Sequence, residues 1–127
     1  MDVNDLKPLV EFGNLEFIIK GAVHAANGTT EGLEGDVDEL KRALIAERFS
    51  YLVFCLAAIK IRVRCKVDQY WMPVGRALAF NYIHKSYSTL NNRMRAAAKA
   101  QKLGNFLLAA LIGEGIDPTE KKVRQPA

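Results

Sequence analysis

Residues 36–67 read DVDELKRALIAERFSYLVFCLAAIKIRVRCKV, and the fold class turns on how this run is divided. Asp36 is a candidate N-cap, with Glu39 three residues on as in a capping box. Asp36, Asp38 and Glu39 also suit the positive end of a helix dipole. Leu40, Leu44, Phe49, Leu52, Leu56 and Ile59 then fall at helical spacing, which predicts one helix over 36–59. It is polar at first and almost entirely apolar from Tyr51 onward. A helix apolar on every side is surrounded by other elements or by other subunits.

The last eight residues, KIRVRCKV at 60–67, alternate base and apolar without exception. Period two argues for a strand, and Ile61, Val63 and Val67 are β-branched. A strand needs a partner, however, and the chain offers only the weak candidate LEFII at 15–19. Helix continuation is the preferred reading, with a short strand at 60–67 as the alternative.

Working outward, residues 5–26 read as a first helical region. Pro8 suits an early turn, and Leu9, Phe12, Leu15, Ile19 and Val23 keep helical spacing, while Gly13 and Gly21 weaken it. Residues 27–35 carry three glycines behind an Asn-Gly pair and are expected to form a mobile acidic loop. Pro73 is expected to open another helix, with Val74, Leu78, Ala79, Tyr82 and Ile83 as its apolar face. Ser86 or Ser88 suits the cap of the next helix, which is expected to stop at Gly104. Asn105 suits the cap of a short helix over 106–112, and Asp117-Pro118 opens a polar tail. The expected fold is all-α: a four- to five-helix bundle with a central buried helix, forming one domain over 1–117 with a tail over 118–127.

Charge is segregated along the chain. Residues 60–102 hold ten Lys or Arg and one acid, Asp68, a net +9, whereas the first 59 residues hold ten acids and five bases. Such an imbalance speaks of partners rather than of fold. Lys60, Arg62, Arg64 and Lys66 make one basic cluster, and Arg93, Arg95, Lys99 and Lys102 another. Arg95, Lys99 and Lys102 stand at i, i+4 and i+7, one stripe on a helix set among alanines. Phosphates suit a stripe of this kind, through charge and counterion release. Solvated helix faces ordinarily mix signs, and here only Asp68 dilutes the bases. Tyr70 and Tyr87 are candidate stacking residues for nucleobases, while Trp71 and Phe80 are expected in the core. A helix-turn-helix drawn over 73–103, with Asn91, Asn92, Arg93 and Arg95 facing a groove, is a weaker alternative.

Little points to catalysis. His24 and His84 have no metal-ligand company, the acids show no pairing by spacing, and neither a zinc spacing nor a phosphate-cradling loop occurs. No cofactor or metal is expected. Cys55 and Cys65 read as buried free thiols in a reducing compartment. The first residues carry no signal-peptide pattern, and the apolar run at 49–59 is too short to span a bilayer. These features predict a non-enzymatic protein of the cytoplasm or of a nucleoprotein particle, neither secreted nor membrane-bound. It would contact the DNA or RNA backbone and assemble as a homo-oligomer. The alternative is a small helical adaptor or inhibitor that docks its basic face on an acidic protein.

Overall fold

The computed structural model describes the backbone of residues 3–103 and the side chains of residues 13–102. Five α-helices account for nearly all of it: α1 Val3–Ala25, α2 Leu33–Ile45, α3 Tyr51–Cys65, α4 Asp68–Leu78 and α5 Tyr87–Leu103. A single π-helical turn, Ala79–Ile83, extends α4. The all-α expectation holds, and no strand occurs among the described residues. Both strand candidates, 15–19 and 60–67, are helical apart from the last two residues, which form the turn into α4. Gly104 as helix stop, the Asn105 cap, the helix over 106–112 and the tail lie outside the described residues.

α3 sits at the centre and packs on all four other helices. Phe54, Cys55, Ala57, Ala58, Ile61 and Cys65 are buried on it. They meet Leu15, Ile19 and Val23 of α1, Leu33, Val37 and Leu40 of α2, Trp71, Val74 and Leu78 of α4, and Leu90, Met94 and Ala97 of α5 in one core. Both cysteines are free. Burial pushes the Cys55 thiol up to about 12, against the opposing pull of Arg93. Burial also raises the Cys65 thiol. Both groups therefore stay protonated at neutral pH and are poor nucleophiles.

The single helix expected over 36–59 is in fact two. The chain leaves α2 at Ala46, turns over 46–50, and enters α3 at Tyr51. A straight rod would hold the apolar α3 out in water, and the fold-back lets α2 cover one flank of it. Ser50 caps the new helix, its Oγ accepting from the Val53 amide at 3.3 Å. Phe49, just before the cap, packs on Phe54 four residues after it, with ring centroids 5.6 Å apart. That is a hydrophobic staple, which fixes the entry angle of a helix.

Asp36 is not a cap. α2 begins three residues earlier, after Gly32 at φ 76°, a left-handed backbone that glycine adopts without cost. Asp36 and Glu39 are thereby freed for side-chain pairs with α3, described below. Pro73 likewise does not open its helix: α4 starts at Asp68, and the proline sits at its sixth residue, on the exposed face. Phe80 is 80% exposed rather than in the core, whereas Trp71 is fully buried as expected. Ser86 caps α5, its Oγ accepting from the Thr89 amide at 3.1 Å.

The glycine-rich loop between α1 and α2 is held in place. Gly28 lies against the C-terminal end of α3, so closely that a Cβ there would stand 1.9 Å from the Arg64 carbonyl oxygen. Backbone meets backbone, and neither side has a flexible atom to move aside. Gly28→Ala should therefore lower stability by about 1–3 kcal/mol, the usual cost of overpacking. Gly35→Ala is the control, since nothing lies within 4 Å of its added methyl. That change should be neutral or raise stability by up to about 1 kcal/mol. Urea midpoints of the two variants check the contrast.

Candidate nucleic-acid interface

A helix divides the alternating bases of 60–66 between two neighbours. Lys60 and Arg64, one turn apart, face α2. Lys60 Nζ donates to Glu39 Oε2 at 2.8 Å, and Arg64 Nε donates to Asp36 Oδ2 at 2.8 Å. The Lys60 ammonium is held above its ordinary pKa chiefly by the hydrogen bond to Glu39. Arg64 Nη1 also donates to the Thr29 carbonyl at 2.6 Å, so one guanidinium ties α3 to both α2 and the preceding loop. Arg62 turns toward α5 and pairs with Asp68 across the α3–α4 turn, Nη2 to Oδ1 at 2.5 Å. Lys66 caps the C-terminus of α3 at φ 68° with its side chain exposed.

The second cluster divides as well. Arg95, Lys99 and Lys102 are exposed along α5, as the i, i+4, i+7 spacing predicts, and none has an acidic partner among the described residues. Arg95 Nη1 donates to Asn92 Oδ1 at 3.0 Å. Arg93 leaves the group. It is only 6% exposed, its guanidinium carbon 4.2 Å from the centroid of the Tyr51 ring. Its Nε and Nη1 are buried with no hydrogen-bond partner. A phosphate has no access to those atoms, so Arg93 is removed from the candidate contacts.

The tyrosines are also part of the packing. Tyr87 lies against Gly75, where an added Cβ would meet its ring at 2.5 Å, and its hydroxyl is buried without a partner. Tyr70 is half-buried against the core. Neither presents a free ring for stacking. The helix-turn-helix reading loses two of its four reading residues, Arg93 to burial and Asn91 to packing, for Asn91 Oδ1 accepts from buried Trp71 Nε1 at 3.0 Å.

The bases left at the surface are spread over several elements, Lys66, Arg76 and Lys85 among them, but two arginines share one groove. Arg62 of α3 and Arg95 of α5 line one groove of about 260 Å³, floored by Ile59, Val63, Met94 and Ala98. Lys99 and Lys102 continue the line along α5. Among the described residues no cluster of His, Cys, Asp and Glu is fit to hold a metal. No helix there is long and apolar enough to cross a membrane. Comparison with protein families, curated proteins and solved structures yields no match for the chain.

Arg93 was missed because nothing in a run of bases marks the one that turns inward. An unpaired buried guanidinium is costly even with an aromatic ring beneath it. Replacing it by an apolar side chain of similar length removes two unmade hydrogen bonds. Arg93→Met should raise the urea midpoint, by about 1 kcal/mol or more in stability, whereas Arg93→Ala should lower it through the cavity left behind.

Proposed function

We propose that this chain binds a nucleic acid through its phosphate backbone, using Arg95, Lys99 and Lys102, and that it acts by binding rather than by catalysis. One observation carries the reading: Arg95, Lys99 and Lys102 lie exposed on one stripe of α5 with no acid to answer them among the described residues, whereas Arg62 in the adjoining groove is answered by Asp68. Three unanswered bases on one surface attract a polyanion and displace its counterions. The surface holds no set of side chains arranged to read base edges, so binding would be insensitive to sequence.

The adaptor reading keeps one observation of its own. Lys60 and Arg64 already pair with carboxylates of a helix, α2, an internal precedent for docking a basic helix face on an acidic one, although those two bases are themselves occupied.

Salt dependence separates the two. With about three phosphates neutralised, log K for duplex DNA should fall with log salt at a slope of about −3, for unrelated sequences alike. Arg95→Ala, Lys99→Ala and Lys102→Ala together should flatten that slope by about three while leaving the fold intact, because all three side chains are exposed. A protein that ignores DNA and RNA at about 50 mM salt sinks the proposal.

A further inference from the structure

The groove between α3 and α5 combines an apolar slot with a polar surround. Ile59 and Val63, one turn apart on α3, line it together with Met94 and Ala98, one turn apart on α5. Val63 is 70% exposed, an apolar side chain that its described neighbours leave uncovered. The rest of the lining is polar. Asn91 Oδ1 is taken by Trp71, which fixes the amide and leaves its Nδ2 without a partner among the described residues. Asp68 holds Arg62 through Oδ1, which leaves Oδ2 able to accept. Sites for drug-sized molecules begin at about 300 Å³, so a hollow of about 260 Å³ suits one ring system rather than a whole nucleotide. A larger hollow of about 410 Å³, which Ile59 and Val63 also line, differs in that Glu39 and Asp36 already hold its Lys60 and Arg64.

We propose, resting on the phosphate-binding reading given above, that the nucleic acid is single-stranded and seats one unpaired base in this slot. Continuity carries the step. Arg95 both lines the slot and begins the stripe that Lys99 and Lys102 continue, so a phosphate held by Arg95 brings its base to the slot's mouth. Apolar side chains accept the faces of a base, and a guanidinium plane such as that of Arg62, steadied by Asp68, stacks on one. Each base carries both a donor and an acceptor on its pairing edge. The Asn91 amide supplies a donor and the Asp68 carboxylate an acceptor, so any base is satisfied and none is selected. In a duplex that edge is taken by the other strand, and drawing the base out of the stack costs free energy. An unpaired base meets no such cost, which turns the slot toward single strands.

Fluorescence anisotropy with labelled strands of equal phosphate number tests it. A single-stranded oligothymidylate should bind at least about fivefold more tightly than an abasic strand of the same length. Ala98→Leu fills the slot from an exposed position of α5, and Val63→Gln removes the apolar wall on α3. Each variant should bring the thymidylate down to the abasic affinity, while abasic and duplex binding keep their strength and salt dependence. Equal binding of the two strands by the unaltered protein overturns the base slot and leaves phosphate binding standing. A thymidylate preference that survives both variants overturns it as well, by placing the base elsewhere. Failure to bind any strand at about 50 mM salt sinks both readings.

Discussion

A single guanidinium organises the middle of this protein. Arg64 reaches Asp36 on α2 and the Thr29 carbonyl in the loop before it, while its own carbonyl lies against Gly28. The pair with Asp36 is largely withdrawn from water, with side chains 15% and 21% exposed. Hydrogen bonds to a charged group in such a setting are worth about 1.5–3 kcal/mol each, and loss of the arginine would leave Asp36 half-buried and unanswered. α2, the loop and α3 thus share one anchor. The placement of α3 then sets the positions of the three helices packed around the rest of it.

The same contact explains part of the charge pattern. Along the chain, acids and bases look like separate blocks awaiting separate partners. In space, α2 runs antiparallel to α3, so Asp36 meets Arg64 and Glu39 meets Lys60. Asp68, the lone acid of the basic block, answers Arg62. Much of the segregation is resolved inside the molecule, and Arg93 is taken out of play by burial. Half of that block's bases that remain open share one stripe of α5, Arg95, Lys99 and Lys102, while Lys66, Arg76 and Lys85 are exposed on other elements.

How much of this could be read beforehand depended on whether the signal was local. The helical class, the buried Trp71 and the Ser86 cap follow from spacing and side-chain chemistry within a few residues. The break over 46–50 had a local signal too, in the cap Ser50 and the staple between Phe49 and Phe54, but an unbroken apolar period masked it. Other features had no local signal. Gly28 appears in the sequence as part of a mobile loop, and only the distant carbonyl of Arg64 makes it a packing requirement. The inward turn of Arg93 and the outward turn of Phe80 depend on which neighbours arrive. Phe80 lies in the π-helical turn Ala79–Ile83, on its exposed side. For the candidate interface, the α5 stripe was legible because three residues on one helix define it, while the approach of Arg62 to Arg95 was not.

The antiparallel fold-back of α2 on α3 also bears on how the chain finds its shape. Asp36 and Arg64 close a loop of 28 residues, whereas α1 must meet the end of α4 across about twice that separation, as where Leu15 and Ala77 line one cleft. Chain entropy grows only slowly with loop length, so the longer closure costs only about 0.6 kcal/mol more. Neither closure is expensive, and most contacts lie within helices or between sequence neighbours. The topology places this chain among helical bundles of low contact order, which collapse to the native state in about microseconds to milliseconds. A chain released from a ribosome with that kinetic profile spends little time with the apolar run of α3 exposed to other chains.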